Sequence, residues 1–275
     1  VKRIIWWARR DLRLLDNFTL QQAQRDAECV VPVFILDPVL LESPKLAPAR
    51  RRFLFESLCE LDAALRSRGA RLILRTGNPE RELPRVAREV RAGAVYHHLD
   101  ITPYARRRDA RIERALAAEG LRVERFHDLY LAAPDQVRKA DGTPYTVYTP
   151  YRRAFEKLVV IPPAQKTRNF APIPPALRSL DLPDFTQDHD EPFVCGGERQ
   201  AGRLLRSFLR RSEGLARYGR NRNDMALDAT SHLSPHLHFG TISVRELVRA
   251  ARSARNPSNA QHVDAWIGEL IWREF

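Results

Sequence analysis

Five short apolar runs, separated by stretches with a helical period, limit what the first 130 residues of this chain can become. They are RIIWWA from Arg3, CVVPVFI from Cys29, RLILR from Arg71, AVYHH from Ala94 and RVERF from Arg122. Each has the length of a strand rather than of a helix. A helix is expected from about Phe18, behind the Asp16-Asn17 turn and N-cap. Another is expected over about Ala49 to Arg68, where Leu54, Leu58, Leu61 and Leu65 recur at 4-3-4 spacing with charges opposite. A third follows Asn78-Pro79, an N-cap with proline at N1, and a long arginine-rich helix follows Pro103. Strand and helix alternating at this rhythm predict an α/β fold, a doubly wound parallel five-stranded sheet covered on both faces. No GxGxxG follows the first strand, so the usual dinucleotide fingerprint is absent.

Beyond residue 130 the alternation stops. Pro162, Pro163, Pro172, Pro174, Pro175, Pro183 and Pro192 crowd residues 161–192, where neither period survives. After Gly197 the segments ERQAGRLLRSFLRR, SVRELVRAAR and WIGELIWREF read as helices without strands, and Ser243 with Glu246 predicts a capping box. The expected division is an α/β domain over 1–130, an interdomain linker over 131–195 and part of an α-helical domain over 196–275. The closing helix has neither a C-cap glycine nor a following turn, so the helical domain is expected to be incomplete here.

No apolar run reaches the length of a membrane span, and VKRIIWWARR is too short and too charged for a signal peptide. The three cysteines, Cys29, Cys59 and Cys195, are far apart and form no CxxC, which suits a reducing cytoplasm. The 46 basic residues outnumber the 34 acidic ones for a net charge of +12, and 41 of them are arginine. The planar guanidinium fork matches phosphate, so the charge raises a nucleic-acid partner; nucleotide bias of a genome also produces arginine in place of lysine.

In WIGELIWREF, Trp266, Glu269, Trp272 and Arg273 share an arc of roughly a third of a helix, and Ile267, Leu270, Ile271 and Phe275 fill the other side. Such a helix is expected to be covered all round, either as a core helix with Glu269 and Arg273 paired at i, i+4 or as a pocket wall against a flat polar ligand. In TSHLSPHLHFGTIS, Ser234-Pro235 reads as an N-cap with proline at N1, leaving N–H groups that suit a phosphate, as they would at any capped helix start. His232, His236 and His238 lack a cysteine or acidic cluster to complete a coordination set, so no metal site is expected. In ARYGRNRND, Arg217, Arg220 and Arg222 read as a basic loop.

Taken together, WWARRDLRLLDNFTL, TSHLSPHLHFGTIS and WIGELIWREF, in this order and spacing, resemble the DNA photolyase/cryptochrome family over essentially the whole chain. Within it the chain looks most like the bacterial enzymes that act on cyclobutane pyrimidine dimers. The resemblance implies a deoxyribodipyrimidine photo-lyase: light-driven repair of such dimers by electron transfer from reduced FAD, with the damaged bases flipped out of DNA. It implies an FAD site at Tyr218, Thr230, Ser231, His232, Leu233, Ser234 and Trp266. Glu269 and Trp272 would be catalytic, and Arg222, Glu269, Trp272 and Arg273 would meet DNA. Burial between two indoles would disfavour a charged Glu269 carboxylate, whereas Arg273 would favour it. The α/β domain can hold an antenna chromophore in this family: methenyltetrahydrofolate, a deazaflavin or FMN. A cytoplasmic monomer with damaged DNA as its partner is expected. The family's flavin domain runs on well past WREF, so the chain as written is expected to hold FAD poorly and to be inactive alone. The alternative is a cryptochrome-like blue-light receptor that binds FAD and signals through protein partners; Glu269 together with Trp272 favours dimer repair.

Overall fold

The computed structural model describes residues 2–43, 46–133, 135–164, 166–174, 176–182 and 194–275. The five apolar runs form β1 (Arg3–Trp7), β2 (Cys29–Leu36), β3 (Ile73–Thr76), β4 (Ala94–His98) and β5 (Arg122–Phe126). All neighbours are parallel, in the order β3-β2-β1-β4-β5. The winding reverses between β1 and β4, and at such a switch point the carboxyl ends of the strands open into a crevice.

Side chains alternate across the sheet, so each strand feeds two cores. Ile4, Trp6, Val30, Phe34 and Leu74 pack on one face with Leu20 of α1 (Phe18–Asp26) and Leu58 and Leu65 of α3 (Pro48–Arg66), which follows the short α2 (Pro38–Leu41). Ile5, Trp7, Val31, Val33 and Val95 pack on the other with Leu83 and Val86 of α4 (Pro79–Val90) and Ile112 and Leu116 of α5 (Pro103–Ala117). Every residue of β2 is buried, as a central parallel strand requires. The expected caps form: the Asn17 side chain accepts from the Leu20 N–H at 2.9 Å and Asn78 accepts from the Glu80 N–H at 2.9 Å.

The connector carries a helix for which the sequence reading made no place, α6 (Tyr148–Leu158). Val147 offers no capping side chain and Pro150 sits in the first turn, which hid the 3-4-3 spacing of Tyr148, Tyr151, Phe155 and Leu158. Tyr151 and Phe155 are buried against Ile271 of α11 (Ala260–Trp272). Further on, Phe170, Ile173 and Leu177 are buried against the α/β cores, and the Phe170 N–H bonds the Arg68 carbonyl at 2.9 Å. Residues 183–193 of the expected linker lie outside the described residues.

The remaining helices are α7 (Glu198–Arg210), α8 (Tyr218–Asn221), α9 (Ser234–Phe239) and α10 (Val244–Ser253), packed with α11 around Leu205, Phe208, Leu247, Val263 and Trp266. Ser243 caps α10, its hydroxyl oxygen accepting from the Arg245 N–H at 3.2 Å. None of the helices described is long and apolar enough to cross a membrane.

A buried polar cluster docks the two parts. Asp128 accepts from Arg13 at 2.8 Å and from Arg245 at 2.7 Å, while Asp16 accepts from Arg245 at 3.1 Å and Arg249 at 2.8 Å. Burial alone would raise the Asp16 carboxyl, but Arg245 and Arg249 hold it below its ordinary value. Beside this cluster, three carbonyls at the end of α9 are taken up by the loop after β1. Arg10 Nε donates to His238 at 2.8 Å, the Leu12 N–H to Phe239 at 3.3 Å and Arg13 Nη1 to Gly240 at 3.1 Å.

Candidate functional site

The segment from Asp228 to Gly240 turns sharply at His232, which takes a left-handed conformation at φ +53°. The helix starts one residue earlier than the sequence suggested: Leu233, not Ser234, is the cap, and Ser234 and Pro235 occupy the first two helical positions. Leu233 is drawn into the helical core, and this shifts the cap. Ser234 and Thr230 are exposed and Ser231 half-buried; their hydroxyls have no protein partner among the described residues. Arg211 donates to the Thr230 carbonyl at 2.8 Å and pairs with Asp228, which also holds His232 Nε2 at 2.6 Å. Burial, then Arg211, lowers the His232 imidazole. Behind this rim Tyr218, Leu233 and Trp266 belong to one core cluster, with the Trp266 ring 4.9 Å from Phe208. Hydroxyl donors in front of an aromatic wall fit a group that is part phosphate and part flat ring. The three histidines face different partners: His232 meets Asp228, buried His236 meets Thr241 at 2.7 Å, and His238 lies over the sheet.

The arc on α11 divides. Trp266 points into the core at 3 % exposure, while Glu269 (side chain 42 % exposed) and Trp272 (48 % exposed) face solvent. The helix is therefore not covered all round, and the Glu269 carboxylate is not buried between two indoles. Nor does it pair with Arg273. Arg222 of the basic loop bonds Glu269, reaching across from the end of α8. Arg273 turns the other way, donating to the Leu129 carbonyl at 2.9 Å, lying beside Glu274 at 3.2 Å and over the Tyr130 ring at 5.1 Å. The chain returning from the sheet claims its guanidinium, so the i, i+4 pair is lost. Burial pushes Glu274 up to about 7 although Arg273 and the Leu131 and Ala132 N–H groups oppose it. The structure thus brings Arg222, Glu269 and Trp272 to one exposed surface and holds Arg273 apart, against the connector.

Two features escaped the sequence reading. The first is Tyr148 of α6, whose ring stacks on Trp272 at 3.6 Å between centroids with planes 10° apart. The second is a cavity of about 360 Å³ over the carboxyl ends of β1 and β2. Trp7, Phe34, Leu40 and Leu54 give it apolar walls, Asp37, Asp100, Tyr104 and Arg108 face it, and His238 and Phe239 close it from the helical side. The Tyr104 hydroxyl donates to Asp37 at 2.5 Å; burial, then Asp37, pushes this phenol up to about 12. Under the cavity, buried Arg9 grips both oxygens of Asp109 at 2.8 Å. The cavity's place follows from the sheet's strand order, which reverses there and which the sequence reading did not specify.

A family model for DNA photolyase matches residues 4–172. The chain belongs to the DNA photolyase family. This photolyase chain is 37 % identical over 292 residues to the deoxyribodipyrimidine photo-lyase of a Synechococcus strain, covering 99 % of the chain and 59 % of that relative. It superposes on a bacterial class III photolyase from Agrobacterium tumefaciens with a TM-score of 0.88 at 29 % identity, covering 100 % of the chain and 58 % of that structure. An archaeal photolyase from Sulfolobus tokodaii, solved with two FAD molecules, gives 0.79 at 27 % identity and covers 99 % of the chain and 58 % of that structure. The photolyase chain thus spans about three-fifths of the length of these proteins.

Proposed function

We propose that this photolyase-family protein reverses cyclobutane pyrimidine dimers in DNA, using light and reduced FAD. The observation that carries the reading is the exposed group where α11 meets the end of α8: the half-exposed Trp272 indole beside the Glu269 carboxylate and the Arg222 guanidinium. A dimer extruded from the duplex needs aromatic surface to replace lost stacking, worth about 1–3 kcal/mol per base, and Trp272 offers it. Arg222 suits the flanking phosphates, which give affinity without reading sequence. Once a phosphate draws Arg222 away, Glu269 is free to hydrogen-bond the pyrimidine edge. Thr230, Ser231 and Ser234 supply hydroxyl donors to the FAD diphosphate, with His232 at the turn and Tyr218, Leu233 and Trp266 as the wall behind. Reduced FAD held there would supply the excited electron for opening the cyclobutane ring and would recover it once the two pyrimidines separate, so that no net oxidation occurs.

The cavity over the sheet is read as the seat of an antenna chromophore, methenyltetrahydrofolate, a deazaflavin or FMN. Its apolar walls and few convergent polar groups suit a flat heteroaromatic ring. The archaeal relative with two FAD molecules gives that reading a parallel.

The test is illumination of the whole protein, loaded with FAD and reduced, with an oligonucleotide bearing one thymine dimer. Dimers are expected to disappear in light and persist in the dark. Glu269→Ala is expected to lower the repair yield per absorbed photon more than it weakens binding. Dimers that survive illumination with bound, reduced flavin would overturn the proposal.

A further inference from the structure

Of the four indoles, Trp6, Trp7 and Trp266 are buried and Trp272 alone reaches solvent. Tyr148 covers one of its faces in near-parallel contact, and with the residue still 48 % exposed the opposite face is open. Phe275 meets both rings edge-on, 5.9 Å from Tyr148 and 5.7 Å from Trp272, and blocks sideways slip. Tyr148 is itself held. Its hydroxyl donates to the Gly268 carbonyl at 2.6 Å, one turn before Trp272, and Tyr151 and Phe155 anchor its helix in the core. A Cβ on Gly268 would stand 2.9 Å from Arg152 Nη1 and 3.7 Å from the Tyr148 hydroxyl, so glycine lets α6 approach α11 closely.

We propose that Tyr148 is a positioning residue that fixes the Trp272 indole with one face open, as a preformed stacking surface for the extruded pyrimidine pair. This rests on the reading of Trp272 as the lesion platform. A surface tryptophan without a partner changes rotamer freely, and a ligand that stacks on it must first immobilise it. With Tyr148 in place the rotamer is selected on folding. Removing that ring is expected to weaken lesion binding about three- to tenfold.

The experiment compares binding of two single strands by the whole protein: one carries a thymine dimer, and the other is identical but has abasic sites in place of the dimer. Parent, Trp272→Ala, Tyr148→Ala and Tyr148→Phe proteins are titrated with each. Tyr148→Ala is expected to lose affinity for the dimer strand and to keep it for the abasic strand, because phosphate contacts are untouched. Tyr148→Phe, which retains the ring, is expected to stay within about twofold of the parent. Acrylamide quenching of tryptophan emission is expected to rise in Tyr148→Ala, since Trp272 is then open on both faces. Equal weakening on both strands would mean a structural role only and would overturn the inference. So would dimer affinity unchanged in Tyr148→Ala but lost in Trp272→Ala. If Trp272→Ala leaves the preference for the dimer strand intact, the platform reading itself fails and Tyr148 falls with it.

Discussion

Replacing Gly240 by alanine tests how tightly α9 is seated on the sheet. Gly240 ends α9 at φ +67°, and an added Cβ would lie 1.7 Å from the backbone oxygen of Arg10. No rotamer relieves a backbone clash, so the end of α9 and the β1–α1 loop must separate. A left-handed alanine costs roughly 1 kcal/mol. Separation also breaks contacts to the carbonyls of His238, Phe239 and Gly240, two from guanidinium groups and one from a backbone N–H. Losing even one charged and one neutral bond adds about 3 kcal/mol, for a total of about 4. Gly142 is the control: it has φ +77° but nothing within 4 Å of its would-be Cβ, so Gly142→Ala should cost only the conformational part. With a urea slope near 3 kcal/mol/M, the two variants should differ in midpoint by about 1 M. Coincident unfolding curves would refute the argument that this contact carries the docking of α9.

Three further outcomes follow from buried groups. Asp128→Asn leaves Arg13 and Arg245 short of an anion in a closed site and should destabilise by about 3–5 kcal/mol, lowering Tm by roughly 10 °C in calorimetry. A change below about 1 kcal/mol would show that the cluster does not hold the parts together. Burial pushes His236 down to about 4, so the stability it carries is complete above the unfolded value near 6.5 and lost as pH falls towards about 4. On the order of 3 kcal/mol is at stake, and His236→Gln should flatten that part of the stability–pH curve; parallel curves would refute it. Ala105→Trp, on the cavity wall at 2 % exposure, should abolish the absorbance of any antenna chromophore that co-purifies with the parent while sparing that of the flavin. Retention of both bands would place the antenna elsewhere.

Where the sequence was legible, the signal was local. Asn17 and Asn78 cap the helices they precede because a short side chain reaches an N–H two or three residues on, wherever the helix later packs. The alternation within β1 and β2 shows which side chains share a face, and the two cores follow it. Local signals also misled. Glu269 and Arg273 have the spacing of an ion pair, yet competing partners, Arg222 and the Leu129 carbonyl, took each side chain. Tyr148–Leu158 has a helical period, but with no capping side chain and a proline in its first turn it read as connector.

The sequence by itself determined the order of strands and helices, the parallel sheet, and the motifs that mark the photolyase family, because these depend on periods of two to four residues and on fixed spacings. Tertiary structure alone decided which face of α11 meets solvent, that Arg222 sits on Glu269, that Tyr148 backs Trp272, and that His238 and Phe239 roof a cavity built on β1 and β2. These partners lie tens to hundreds of residues apart. Their meeting is set by the summed packing of the sheet, the connector and the helical core, a sum over long-range contacts that no window of sequence contains.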